Sequence, residues 1–184
     1  MSKDSTSILL SLFADLLEYP SAQTKEQACE CLEQLQSIHP EAADLMERFT
    51  RAFDQLSLDR MQELFTATFD MQPVCYPYVG FHLYGESYKR GAFMAQLNEA
   101  YRGFDYSAEQ ELPDNLSVIL RFVGLDATNR QSEFCEALLK DGVQPALEKM
   151  LKVFGEESQN PYFGLLSALE LFLVHMFEKE LTHA

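Results

Sequence analysis

The chain has 184 residues, of which 47% are hydrophobic, and its 29 acidic and 14 basic side chains give a formal net charge of -15 at pH 7. A chain of this length buries enough apolar surface to fold without a metal or disulfides, so we expect one domain over residues 1–184. The negative charge opposes binding to phosphate backbones and anionic lipids. It therefore excludes nucleic acid and a stable membrane association as expected partners, and favours a basic partner.

The cysteines and the N-terminal sequence favour a cytoplasmic protein. Cys29 and Cys31 would point about 160° apart on a helix, and no C-x-x-C pair occurs among the four cysteines. The N-terminus has no signal-peptide pattern, and no uninterrupted apolar run reaches the ~18 residues that span a bilayer. We expect separate reduced thiols and a cytoplasmic location.

The spacing of apolar residues is helical almost throughout, and it predicts an all-α, single-domain bundle of roughly eight helices. The predicted helices cover residues 8–17, 24–37, 40–53, 57–69, 82–103, 116–123, 132–140, 143–154 and 161–182. Ser57 and Asp114 are placed as helix caps, and Asn160-Pro161 is a helix start signal. Two irregular stretches interrupt the helices: residues 70–80, which hold two prolines and two tyrosines, and residues 103–113.

Catalytic signatures are weak in this sequence. It has no phosphate-binding loop, dinucleotide fingerprint, nucleophile elbow or H-E-x-x-H pair. His82 and Glu86 could share one helix face and a metal ion, but two ligands are too few. Cys75 would need a histidine partner to act as a nucleophile, and His175 is best interpreted as an interior or groove residue. We expect no catalytic residue, no metal and no cofactor.

The segment H-L-Y-G-E-S-Y-K-R-G, residues 82–91, is distinctive because its charges balance within an acidic chain. Glu86 can pair with Arg90 on a helix, which would be a purely structural role. Gly85 and Gly91 each cost about 1 kcal/mol in a helix interior. Their presence suggests that a loop, a helix or a bound peptide approaches this helix closely. The apolar stripe over residues 93–104 is more typical of core than of a binding face.

Several motifs occur in an order that is informative as a whole. They are Glu63-Leu64-Phe65, the proline-aromatic loop from Pro73 to Tyr78, His82-x-x-Gly85-Glu86-Ser87-x-x-Arg90-Gly91, Tyr101, and Glu111-Leu112-Pro113-Asp114 before Leu116. In this order they resemble the NarJ-type branch of the NarJ/TorD/DmsD superfamily, the cytoplasmic chaperones of molybdenum-containing redox enzymes. Members commonly have a histidine after L-P-D, where this chain has Asn115.

The resemblance implies an all-helical, non-enzymatic chaperone. Its partner would be the N-terminal or leader segment of a molybdoenzyme catalytic subunit, held until molybdenum cofactor is inserted, with nitrate reductase as the nearest suggestion. A basic and apolar leader would complement an acidic chain. Monomer and dimer both stay open. The alternatives are a helical adaptor or regulatory subunit without a maturation role, and, less favoured, a nucleotide hydrolase or metal enzyme.

The predicted partner-binding site combines three segments around these motifs. Its residues are Pro73, Tyr76, Pro77 and Tyr78, then His82, Tyr84, Glu86, Tyr88 and Arg90, then Glu111, Pro113, Asp114 and Asn115. The tyrosines would supply contact area at low entropic cost. Glu86, Glu111 and Asp114 would meet arginines of the leader.

Overall fold

The helices bury the apolar stripes that predict them. The structure is a computed structural model that describes residues 4–155 and 158–183. Its α-helices are α1 (Ser5–Leu16), α2 (Thr24–Ile38), α3 (Pro40–Asp54), α4 (Leu58–Phe65), α5 (Val79–Tyr84), α6 (Tyr88–Gly103), α7 (Leu116–Val123), α8 (Ala127–Arg130), α9 (Glu133–Ala137), α10 (Gln144–Phe154) and α11 (Pro161–His183). Two π-helical segments, Thr66–Asp70 and Leu138–Val143, extend α4 and join α9 to α10. The predicted all-α class is confirmed.

Most predicted helix boundaries are confirmed, because local side chains determine them. The Ser57 hydroxyl accepts a hydrogen bond from the Arg60 amide at the start of α4. Asn160 does the same for α11, where its Oδ1 accepts from the Tyr162 amide at 3.0 Å and Pro161 is the first helical residue.

The prediction of one continuous helix over residues 82–103 is wrong, because α5 ends at Tyr84 and α6 begins at Tyr88. Gly85 follows α5 with φ 62° and ψ -159°, and Ser87 is the N-cap of α6. A Cβ built at Gly85 or Gly91 would have no neighbouring atom within 4 Å. The predicted close approach of a loop or a helix at these two glycines is therefore wrong for the described part of the chain, and approach of a bound peptide stays a prediction.

The other differences also concern helix continuity. The predicted helices over residues 132–140 and 143–154 are joined by the π-helical segment, and α8 was not predicted. Short segments such as α8 have too few residues to show a 3.6-residue apolar period. These divisions explain why the described helices outnumber the roughly eight that the apolar periodicity predicts.

The buried apolar side chains form one continuous cluster, in which α11 packs mainly on α3 and α1 packs on α2 and α7. Arg121 on α7 bonds Asp15 at 2.6 Å and also bonds Glu18, which ties α7 to the end of α1. Phe13 on α1 stacks on Phe172 of α11, with ring centroids 5.9 Å apart. This packing leaves α5, α6 and α9 on one side of the molecule, where the candidate site lies.

None of the described helices is both long enough and apolar enough to cross a bilayer.

Candidate partner-binding site

The first and third predicted segments pair through their backbones. The Val79 amide donates to the Asp114 carbonyl and the Leu116 amide to the Pro77 carbonyl, each at 2.8 Å. These bonds form an isolated antiparallel bridge between Tyr78 and Asn115. The structure thus brings together two loops separated by about thirty residues, which one bridge of this kind can hold in register.

An ion pair joins the second segment to this bridge. Arg90 on α6 donates to both carboxylate oxygens of Asp114, from Nε at 2.7 Å and from Nη2 at 3.2 Å. The Asp114 side chain is completely buried and that of Arg90 is 15% exposed. The bond to Asp114 raises the pKa of Arg90, so the guanidinium stays charged. It also lies 5.2 Å from the centroid of the Tyr78 ring, in cation-π geometry.

Gly80 is the glycine at which close approach occurs. A Cβ at this position would lie 2.7 Å from Asp114 Oδ2 and 3.0 Å from the Phe93 ring. Real side-chain atoms do not come this close, so any larger residue would displace the carboxylate or the helix. We call Gly80, Arg90 and Asp114 the clamp, because the three residues hold α5, α6 and the loop over residues 111–115 in contact.

Two capping and pairing roles predicted for this region need correction. The N-cap of α7 is Asn115, whose Oδ1 accepts from the Ser117 amide at 2.9 Å, and Asp114 is not a cap. Glu86 lies in the break between α5 and α6, so it cannot form the predicted helical pair with Arg90. The side-chain partner of Arg90 is Asp114, 24 residues further along the chain.

His82 supports the proline-aromatic loop. Its Nε2 lies 2.8 Å from the Tyr76 carbonyl oxygen, and Lys149 donates to the His82 carbonyl at 2.8 Å. Burial lowers the pKa of His82, the bond to Tyr76 opposes this shift, and the positive charge of Lys149 adds to it. At neutral pH the ring is therefore uncharged, with a proton on Nε2 for the Tyr76 carbonyl.

The geometry does not support the two chemical alternatives for this region, which are a Cys75 nucleophile and a metal site at His82 and Glu86. Cys75 Sγ lies 3.9 Å from His82 Nε2, but burial raises the pKa of Cys75 to about 12, so the thiol is protonated and unreactive at neutral pH. His82 and Glu86 are separated by the end of α5 and share no helix face. Within the ranges described above, no group of three or more His, Cys, Asp or Glu residues could hold a metal ion.

The predicted site residues fall into an exposed set and a buried set. Tyr76, Tyr84 and Tyr88 are 43%, 41% and 84% exposed, and Glu86 and Glu111 are also exposed. Pro73, Pro77, Tyr78, His82 and Arg90 are half-buried, while Pro113, Asp114 and Asn115 are buried. The buried loop is held from within, because the Tyr101 hydroxyl donates to the Pro113 carbonyl at 2.7 Å. These buried residues support a surface that the exposed tyrosines and glutamates form.

The structure adds a groove that the sequence interpretation missed. It has a volume of about 680 Å³ and runs beside α5 and α6, opposite α9 and the π-helical segment Leu138–Val143. Its apolar lining includes Leu83, Tyr84, Phe93, Phe104, Phe134 and Leu138. Glu99 and Asp141 also line it, and none of the described lining side chains is basic. The groove adjoins the predicted surface, because Tyr84 belongs to both.

A signal for this groove was present in the apolar stripe over residues 93–104. Leu97 and Tyr101 from that stripe are buried, as expected of core residues. Phe93 and Phe104 instead line the groove, and Phe104 is 48% exposed. The stripe is wider than the core needs, and only the position of α9 shows which part of it remains open. The groove also uses a π-helical turn, a feature that is frequent at functional sites.

An apolar groove edged by carboxylates on a helical scaffold is typical of a protein that binds a peptide or a partner helix. Residues 32–168 match the family described as nitrate reductase delta subunit. The match covers most of the chain, so this protein belongs to the nitrate reductase delta subunit family, within the NarJ/TorD/DmsD superfamily of maturation chaperones.

The fold is similar to that in a crystal structure of a proposed redox enzyme maturation protein from Archaeoglobus fulgidus. The TM-score is 0.61 and the sequences are 22% identical, over 91% of this chain and 93% of the other. No curated protein sequence matches the chain. The structural likeness supports the all-helical fold, and the family match supports a role in redox enzyme maturation.

Proposed function

We propose that this protein is a chaperone that binds the N-terminal segment of a molybdoenzyme catalytic subunit, nitrate reductase or a related enzyme. It holds that segment until molybdenum cofactor is inserted and the subunit is assembled or exported. The observation that carries the proposal is the apolar groove with Glu99 and Asp141 along it, next to the exposed tyrosines and glutamates of the predicted site. The family match supplies the class of client.

The chemistry of this surface complements a basic and apolar peptide. The aromatic lining of the groove would bury aliphatic or aromatic side chains of the client, and rigid rings lose little entropy on binding. Glu86 and Glu111 at the exposed surface, with Glu99 and Asp141 in the groove, would meet lysines or arginines of the segment. A net charge of -15 adds long-range attraction for such a segment.

The same charges argue that the cofactor stays with the client. Arg90, a half-buried cation of the site, is held by Asp114, and the groove lining contributes carboxylates. An anionic cofactor would meet repulsion at this surface. We therefore propose that the chain protects the client and does not carry the cofactor.

The test is a calorimetric titration with a synthetic peptide, made from the N-terminus of the molybdoenzyme catalytic subunit encoded beside this chain, at low and high salt. We expect binding that weakens as salt rises, because screening reduces attraction between exposed charges. Glu99→Gln, Glu86→Gln and Glu111→Gln should each weaken binding and flatten its salt dependence. Glutamine keeps an acceptor oxygen, so a loss would report on charge.

A matched control is Glu33→Gln on α2, which is exposed and does not line the groove. It should bind the peptide like the wild type. Absence of binding at any salt concentration would overturn the proposal that the N-terminal segment is recognised. Binding that none of the three site variants changes would show that the peptide binds elsewhere on the molecule.

A further inference from the structure

We infer that the clamp formed by Gly80, Arg90 and Asp114 positions the client-binding surface and does not itself contact the client. The effect of the clamp on client binding rests on the proposed function, whereas the positioning of α5 against α6 concerns this chain alone. It assigns to Asp114 a role different from the direct contact with leader arginines that the sequence predicts, and it makes Arg90 the partner of Asp114.

The clamp is needed because α5 and α6 are not parts of one helix. Between them the chain passes through Gly85, which has a positive φ, and the three linking residues lie outside both helices and do not by themselves determine an interhelical angle. The bidentate pair of Arg90 with Asp114 connects the start of α6 to the loop after residue 110. Gly80 lets α5 lie directly against that carboxylate. The relative position of the two helices is thus set at this contact.

Both helices contribute directly to the groove. Leu83 and Tyr84 are the last residues of α5, and Phe93 lies just under one turn after the clamp residue Arg90 on α6. The rings of Tyr84 and Phe93 contact each other, with centroids 5.8 Å apart. A shift of α5 against α6 would therefore change the shape of the groove wall that these rings form.

The clamp also reaches the exposed surface. The Arg90 guanidinium lies against the Tyr78 ring, and the Tyr78 hydroxyl donates to Glu111 Oε1 at 3.3 Å. Burial and the neighbouring Glu111 raise the pKa of Tyr78 to about 12, so this hydroxyl keeps its proton at neutral pH. Through these contacts the clamp orients Glu111, one of the carboxylates proposed to meet the client.

The clamp is closed to a client arginine. Asp114 has no exposed surface, and each of its carboxylate oxygens accepts a hydrogen bond from Arg90. A second guanidinium could reach it only by displacing Arg90, which would leave that cation without its buried partner. Removal of either Arg90 or Asp114 should therefore disturb the client-binding surface. Neither side chain offers the client a free charge to bind.

The experiment compares Asp114→Asn and Gly80→Ala with the control Gly91→Ala in the peptide titration at several salt concentrations. Gly91 lies on the same helix as Arg90, and a Cβ there meets no atom within 4 Å. We expect affinity to fall roughly tenfold in the two clamp variants, which lies within the range by which substitutions in a coupled network change binding. Gly80→Ala disturbs the clamp without changing any charge, so a loss of affinity in this variant would report on positioning and not on a lost ion pair with the client. Gly91→Ala should bind normally.

Hydrogen exchange of the free protein gives a second readout that needs no client. In Asp114→Asn, amides of α5 and of residues 111–116 should exchange faster, while those of α2 and α3 should be unchanged. The double variant Arg90→Met/Asp114→Asn should bind the peptide no worse than Asp114→Asn alone. The effects of substitutions at two residues of one ion pair are not additive.

Three results would overturn the inference. The first is wild-type affinity in both clamp variants. The second is a loss of affinity in Asp114→Asn together with wild-type affinity in Gly80→Ala, which would make the charge of Asp114 a direct contact. The third is unchanged exchange in α5. If the wild-type protein fails to bind the peptide, the proposed function fails, and the exchange measurement still decides whether the clamp positions α5.

Discussion

Gly85 has a backbone conformation, φ 62° and ψ -159°, that residues with a side chain rarely adopt. In the sequence it looks like a costly glycine inside a helix, and the structure shows that it ends α5 instead. The neighbouring space is empty, so the requirement for glycine is conformational and not steric. Gly80 is the opposite case, because its surroundings exclude a Cβ.

Gly85→Ala should lower the free energy of unfolding by roughly 1–3 kcal/mol, the usual cost of a strained backbone position. Gly91→Ala, inside α6, should instead raise it by up to about 1 kcal/mol, because alanine favours helix. Urea denaturation of both variants would measure the difference. Equal stability of the two variants would show that α5 and α6 rearrange easily around residue 85.

At the scale of elements, α11 organises the side of the molecule away from the groove. Tyr162, at its start, is buried among four phenylalanine rings from α3, α4 and the π-helical segment after α4. These rings belong to Phe49, Phe53, Phe65 and Phe69, with centroids 4.8 to 6.0 Å from the Tyr162 ring. Burial raises the pKa of Tyr162 well above its usual range, and its hydroxyl has no hydrogen-bond partner among the described residues.

Tyr162→Phe should therefore stabilise the protein by about 1 kcal/mol, because it removes a buried polar group that makes no hydrogen bond. Tyr162→Ala should destabilise it by about 3–5 kcal/mol, because it leaves a cavity between α11 and α3. Both values can be measured by urea unfolding. A loss of stability in Tyr162→Phe would show that the hydroxyl has a partner in solution.

At the scale of the whole molecule, charge and shape support the proposal that the client binds on one side. The acidic chain has its apolar groove between α6 and α9, next to the exposed tyrosines around the clamp. A maturation chaperone and a permanent adaptor subunit could both use such a surface. They differ in which form of the enzyme they hold, because a chaperone must release its client.

Capture experiments with apo and cofactor-loaded catalytic subunit should separate these two functions. We expect the immobilised protein to retain the apo subunit and not the cofactor-loaded subunit, because the bound segment becomes part of the mature enzyme. A stable complex with the loaded enzyme would favour the adaptor function. A Glu99→Gln variant serves as a control, since it should retain less of the apo subunit.

The sequence by itself determined the class, the family and most helices of this protein. Apolar periodicity and caps such as Ser57 and Asn160 are local properties, so they can be read from a few consecutive residues. The proline-aromatic loop, the H-x-x-G-E-S run and the L-P-D motif indicated three segments of interest, and the structure brings these segments together. Their role in binding stays a prediction.

Only the tertiary structure decided how those segments act together. The pairing of Arg90 with Asp114, the close contact at Gly80 and the break at Gly85 all depend on residues distant in sequence or on a backbone angle. A carboxylate next to the start of a helix, such as that of Asp114, indicates a helix cap. Its burial against another helix leaves no periodic pattern in the sequence. The groove was hidden for the same reason: Phe93 and Phe104 have the spacing of core residues, and only the packing of neighbouring helices decides which of a helix's apolar residues are covered.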